Sequence, residues 1–177
     1  GVFDAVRDLF TNSVFMQHKL KILSYFDKEV EKDLSSWRGM DIRLFKAGPL
    51  LFSRKLKKAL LKEFPDIFHM EALWRYPQLL MTVWKKHKKA PIVCSPHGML
   101  DPYIIRNQGT LKRLVSNLFF QKSLEAVDCY HALCQKEYED IRAYGLKQPV
   151  AIIPNGINMP DPNLKFEKTD SKKHLLY

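Results

Sequence analysis

Pro91-Ile92-Val93-Cys94-Ser95-Pro96-His97-Gly98, continued by Met99-Leu100-Asp101-Pro102, is the stretch that decides the fold. Ile92-Val93-Cys94 is short and wholly apolar, the composition of a strand buried on both faces. Pro96, Gly98 and Pro102 then break the chain directly behind it. A strand ends in a tight turn, and the turn carries a histidine.

Outward from this point the same unit recurs. Strands are predicted at Lys21–Phe26, Ile42–Phe45, Asp66–Met70, Pro91–Cys94, Tyr130–Leu133 and Val150–Ile153. Helical stripes separate them. Val2, Val6, Leu9 and Phe10 open the chain, and Phe52, Leu56, Leu60 and Phe64 follow at a spacing of four. Leu79, Leu80, Val83 and Trp84 make a further stripe, as do Leu111, Leu114, Val115 and Leu118, and then Cys134, Tyr138 and Ile141. Glu137 stands three residues after Cys134, as in a capping box with a thiol for the usual hydroxyl. Gly145 suits the left-handed position after the last helix, with Leu146 as the apolar contact beyond it. Alternating strands and helices predict an α/β fold, a Rossmann-like parallel sheet flanked by helices. Such sheets bind ligands at the carboxyl ends of their strands.

The candidate site is therefore read from the turns. Behind Asp66–Met70 come Glu71, Trp74 and Arg75; behind Pro91–Cys94 come Ser95, His97, Gly98 and Asp101; behind Val150–Ile153 come Asn155 and Gly156. His69 lies within a strand pattern and reads as structural, Trp74 equally as a core residue, and Asn155-Gly156 as a common turn. His97 is the strongest candidate, because Pro96 and Gly98 fix a tight backbone around it. Ser95 lacks the GxSxG elbow of a serine hydrolase. Neither HxxxH, DxD nor clustered cysteines suggest a metal site, and there is no P-loop.

Composition narrows the class. Hydrophobic residues make up 46% and charged residues 27%, as in an ordinary globular domain. Cys94, Cys129 and Cys134 form no CxxC pair, which points to reduced thiols and a cytoplasmic setting. With 29 Lys and Arg against 19 Asp and Glu the formal charge is +10, so polyanions are the expected partners. The basic residues cluster at Arg54, Lys55, Lys57, Lys58 and Lys62, and at Lys85, Lys86, Lys88 and Lys89. The plain reading is a solvated face; the functional one is peripheral docking on an anionic membrane. A basic nucleic-acid-binding α/β module would interleave aromatics with Lys and Arg on an exposed face. Here the aromatics fall on core stripes, so nucleic acid is not expected.

Four motifs in order, Asp66–Trp74 ("DIFHMEALW"), Pro91–Arg106 ("PIVCSPHGMLDPYIIR"), His131–Asn158 and the final Lys172–Tyr177 ("KKHLLY"), resemble the retaining glycosyltransferases of family four, which have the two-domain GT-B architecture. The resemblance implies an N-terminal, acceptor-binding Rossmann-like domain over residues 1–157, a linker over 158–173, and the start of a nucleotide-sugar domain at 174–177. It also implies that the first strand lies ahead of Gly1, that the chain is an internal piece, and that this piece alone is inactive. Gly1 and Gly98 would face the donor diphosphate and sugar, and His97 the transferred sugar. Glu71, Trp74, Arg75 and Asp101 would face the acceptor, with Asn155 and Gly156 at the interdomain crossover. Relatives read "HxHGLW" where this chain has "HMEALW", so Glu71 stands for a His and Ala72 for a Gly. The implied partners are a nucleotide-sugar donor and a glycan or lipid-linked acceptor. No cofactor and no metal are expected, and the implied chemistry is retaining sugar transfer in polysaccharide or glycoconjugate synthesis. A non-catalytic partner of an active transferase is the alternative within the same family.

Overall fold

The computed structural model describes residues 2–11, 17–26, 34–37, 39–48, 52–87, 90–107 and 120–156. Gly1, the stripe from Leu111 to Leu118, Lys88, Lys89, the linker and the final strand lie outside them.

Among the described residues six strands alternate with helices, and every strand pair is parallel. Strands β1 (Lys21–Tyr25) and β2 (Asp41–Phe45) pair with one another, Lys21 opposite Asp41. β3 (Phe68–Glu71), β4 (Ile92–Ser95), β5 (Cys129–Ala132) and β6 (Val150–Ile152) form a separate four-stranded sheet in sequence order. The expected parallel sheet is thus two sheets, with no ladder joining them among the described residues. Lys21 Nζ meets Glu63 Oε2 at 2.6 Å and ties the start of β1 to the end of the helix that precedes β3.

The helices are α1 (Val2–Thr11), α2 (Arg54–Lys62), α3 (Tyr76–His87), α4 (Pro102–Asn107) and α5 (Gln135–Ala143), with a further helical segment at 120–125. The core lies between helices and the four-stranded sheet. Trp84, Met81, Ile92, Cys94, Leu124, Tyr130, Ala132 and Ile141 are fully buried there. Each large apolar side chain removed from water contributes about 1.5–3 kcal/mol. The Tyr130 hydroxyl, buried with its ring, donates to the Leu124 carbonyl at 2.8 Å.

Helix ends follow their caps. Ser53 accepts from the Leu56 amide and starts α2, and Glu63, with ψ near 155°, stops it. The expected stripe is therefore shorter than its spacing suggests. Leu56 and Leu60 are buried, but Phe52 and Phe64 fall outside the helix with 46% and 84% of their surface exposed. Phe52 precedes the cap, and Phe64 precedes Pro65, a position that disfavours helical backbone. At the end of α5 the Leu146 amide donates to Ile141 and the Gly145 amide to Arg142, a Schellman motif with Gly145 at φ +98°. Leu146 is buried behind it, as its spacing predicts.

Candidate functional site

The carboxyl ends of β3, β4 and β5 come together, because parallel pairing sets Met70 beside Cys94 and Cys94 beside Tyr130. The strands run further than hydropathy predicts. Glu71 is the last residue of β3, not a loop residue, and Ser95 the last of β4; the two are paired across the ladder. Behind them lie Ala72, Trp74 and His97, with φ of 66°, 62° and 52°. Among the described residues these are the non-glycine positions with left-handed backbone, and all sit on the two turns that close β3 and β4. Such strain persists where surrounding contacts over-determine it, and it gathers at functional sites.

Those contacts are visible. The Trp74 indole N–H donates to the Met99 carbonyl at 3.0 Å, lacing one turn to the other. The Trp74 amide donates to Gln78 Oε1 at 2.7 Å, and the fully buried Gln78 amide donates in turn to Ser123 Oγ at 2.9 Å. Trp74 packs edge-on against Phe120, so it holds the wall of the site and is a packing residue as well as a lining one.

Two short polar chains converge on Glu71. Its Oε2 lies 2.5 Å from His97 Nε2, and its Oε1 3.4 Å from His69 Nε2. A carboxylate only accepts, so His97 carries its proton on Nε2. In neutral His97 the Nδ1 is then an acceptor, and it has no partner among the described residues. The second chain crosses the sheet: His69 Nε2 is 2.8 Å from Ser95 Oγ, which is 2.9 Å from His131 Nδ1, whose Nε2 is 2.8 Å from the Ile153 carbonyl. The carbonyl can only accept, so neutral His131 is protonated on Nε2, Ser95 donates to its Nδ1, and His69 donates to Ser95. Burial pushes the His69 imidazole below its ordinary range, and the carboxylate of Glu71 opposes this only in part. His69 thus lies within β3, bonded to Ser95 and facing Glu71.

The remaining expected residues are placed as follows. Gly98, at φ +73°, donates its amide to Glu137 Oε1 at 2.6 Å. Asp101 accepts from the Tyr103 amide at 2.7 Å and meets Lys136 at 3.3 Å. The Tyr103 amide foremost, and then Lys136, hold its carboxyl below the usual range. Asp101 is thus engaged at the start of α4. Arg75 is exposed, and its charge acts on Tyr25 at the end of β1, whose phenol burial pushes up to about 12. Asn155 and Gly156 are exposed on an irregular segment just past β6. A small cleft of about 140 Å³, apolar but for Arg106, lies between α4 and the end of α5.

Glu137 corrects an expectation. The Cys134 thiol makes no capping bond, being a weak acceptor, and α5 turns Glu137, Asp140 and Ile141 inward while Cys134 is exposed. Glu137 Oε2 accepts from the Leu133 amide at 2.7 Å, and Oε1 reaches the turn behind β4. Residue spacing singled out Glu137 but not this second partner, which is 39 residues away. His131 and Gln78 carried no signal in the sequence.

Residues 16–159 match the model of Glycosyltransferase Family 4. The chain belongs to that family. The match covers both sheets and all the turns just described, and with the parallel helix-flanked strands it makes this a Rossmann-like domain of a GT-B glycosyltransferase. No curated protein matches the chain. Among the described residues no helix is long and apolar enough to cross a membrane, and no cluster of His, Cys, Asp and Glu is arranged to hold a metal.

Proposed function

We propose that this glycosyltransferase domain supplies the acceptor side of a retaining transfer from a nucleotide-activated sugar to a hydroxyl of a glycan or lipid-linked glycan. One observation carries the reading: the Glu71–His97 pair at 2.5 Å, which joins the last residue of β3 to the left-handed turn behind β4. With His97 neutral, the pair makes it a donor toward Glu71 through Nε2 and leaves Nδ1 as an acceptor. An acceptor through Nδ1 is what a sugar hydroxyl needs to be oriented before it attacks.

In the transfer, the bond between the anomeric carbon and the diphosphate oxygen breaks, and the hydroxyl oxygen bonds to that carbon on the same face. The hydroxyl proton passes to the departing diphosphate, so His97 orients and is not consumed. Gly1 and Gly98 face the donor in this reading, with Trp74, Arg75 and Asp101 toward the acceptor and Asn155-Gly156 at the crossover. The domain boundaries at 157 and 173 and a metal-independent donor site, with no cofactor, belong to the same proposal. So does work at the cytoplasmic face of an anionic membrane. The basic face of α2 supports that last element: Arg54, Lys55, Lys58 and Lys62 are exposed and have no acidic partner among the described residues.

The test uses the full-length protein and a panel of UDP-, GDP- and dTDP-activated hexoses with oligosaccharide and lipid-linked acceptors, in the presence of EDTA. Nucleoside diphosphate release gives the rate, and proton NMR of the product gives the anomer. His97→Asn is the chosen variant, because Asn tolerates φ near +50° and leaves the turn intact. Turnover should fall on the order of 100-fold, as for loss of one positioned hydrogen bond, with an unchanged melt. Normal turnover in His97→Asn, or an inverted product, refutes the assignment.

A further inference from the structure

We infer that Glu137 is a positioning residue for His97, acting through the backbone of the turn behind β4. The inference rests on the role given to His97 above.

Glu137 sits in the first turn of α5, on the far side of β5 in sequence, and is 5% exposed. Its two carboxylate oxygens are divided between two backbone amides: Gly98 at 2.6 Å and Leu133 at 2.7 Å. Gly98 follows His97 directly, and both residues are left-handed. A His at φ 52° is held against the steric cost of left-handed backbone, so something must hold it. The Met99 amide donates to Pro96 across the turn and Asp101 to Gly98, but these bonds close the loop only on itself. The Trp74 indole ties Met99, one residue further on, and Glu71 ties the His97 ring. The bond from Glu137 is the one that anchors the amide adjoining His97 to the β5–α5 junction. It is also charge-assisted, which makes it the strong kind.

A carboxylate is required for this. Gln at 137 keeps the shape but has only one accepting oxygen, so one of the two amides must face an NH2 group. If Gly98 loses its partner, the His97 turn relaxes and Nδ1 no longer points where the hydroxyl is held.

The experiment compares wild-type full-length protein with Glu137→Gln and a control, Asp128→Asn. Asp128 also accepts from a backbone amide, that of Ile92 at 2.8 Å, but at the opposite end of β4. Amide hydrogen exchange is read at Gly98, and the His97 imidazole resonances by NMR. In Glu137→Gln the Gly98 amide should exchange roughly 10-fold faster or more, as expected for loss of a bond to a charged group. The His97 resonances should shift, and kcat on the same nucleotide-sugar panel should fall roughly 10-fold or more with KM held. Asp128→Asn should lower the melt without these changes. Unaltered Gly98 exchange in Glu137→Gln, or equal acceleration in Asp128→Asn, overturns the inference. If Glu137→Gln does not fold, the wild type decides: protection of the Gly98 amide supports the bond, and exchange as fast as at exposed Asn155 refutes it. Normal turnover in His97→Asn would instead strike down the role of His97, while the Gly98 exchange result would still judge the bond itself.

Discussion

Glu71 Oε2 and His97 Nε2 meet at 2.5 Å across the ends of two paired strands, with 19% and 9% of their side-chain surfaces exposed. Glu71 thereby sets which nitrogen of neutral His97 is left to accept. Groups that act as a unit give non-additive losses. Glu71→Ala should lower turnover roughly 10-fold through a misaimed imidazole. The double variant Glu71→Ala/His97→Asn should be no slower than His97→Asn alone. Rates that simply multiply would mean that Glu71 acts on the acceptor by itself and not through His97.

His69 gives the fold an acid-sensitive point. Its folded pKa is depressed by burial below the ordinary value of 6.5, so the unfolded chain binds a proton more readily than the folded one. The sign follows: the stability tied to neutral His69 is fully present above pH 6.5 and is lost as pH falls from there through the folded pKa. The melting temperature should therefore decline from pH 7.5 to 5.5, and His69→Gln should flatten that decline while lowering stability at pH 7.5 through a poorer bond to Ser95. A decline of equal slope in His69→Gln would place the titrating group elsewhere.

The exposed cations of α2 make a measurable claim on anionic surfaces. Arg54, Lys55, Lys58 and Lys62 project from a helix whose other face buries Leu56 and Leu60. Each basic residue near an anionic bilayer is worth about 1 kcal/mol. Lys55→Gln/Lys58→Gln/Lys62→Gln in the full-length protein should thus reduce partitioning onto phosphatidylserine-containing vesicles by on the order of 100-fold. Salt should weaken the wild type in the same direction. Equal recovery with neutral and anionic vesicles would leave these charges as a solvated face.

Most of the architecture is readable from residue patterns because parallel strands buried on both faces leave an apolar trace. Ile92-Val93-Cys94 shows this, and Val150-Ala151-Ile152, though a partly exposed edge strand, is equally apolar. The six strands expected between Lys21 and Ile153 are present, and the one expected at Lys172–Tyr177 lies outside the described residues. What hydropathy cannot see is a polar residue made strand-like by its neighbours. Glu71 and Ser95 extend β3 and β4 because His97, His69 and His131 satisfy their side chains, through bonds that span 26 residues (Glu71 to His97, Ser95 to His69) and 36 residues (Ser95 to His131). Spacing alone also overran α2 at Phe52 and Phe64, where the Ser53 cap and Pro65 set the limits. Glu137 was legible as a residue of consequence near a helix start. Its bond to Gly98 was not, because it exists only once β4 and β5 are side by side.

Ala72 supplies the most direct test of strain at the site. Its φ of 66° places a Cβ in the region that glycine occupies freely, and its amide is committed to the Ser95 carbonyl at 3.0 Å, so the turn cannot relax without breaking the ladder. Left-handed backbone costs a non-glycine residue roughly 1–2 kcal/mol. Replacing Ala by Gly removes that cost but loosens the unfolded chain, which opposes folding by about 0.4–1 kcal/mol. The difference favours Ala72→Gly by about 0.5–1 kcal/mol. In a chain of 177 residues this corresponds to a rise of about 1–4 °C in melting temperature. Ala72→Val, branched at Cβ, should move the melt the other way and by more. Thermal denaturation of the three proteins side by side decides the matter. A lower melt for Ala72→Gly than for wild type would show that the turn behind β3 is not strained in solution, and the clustering of left-handed residues around His97 would lose its physical meaning.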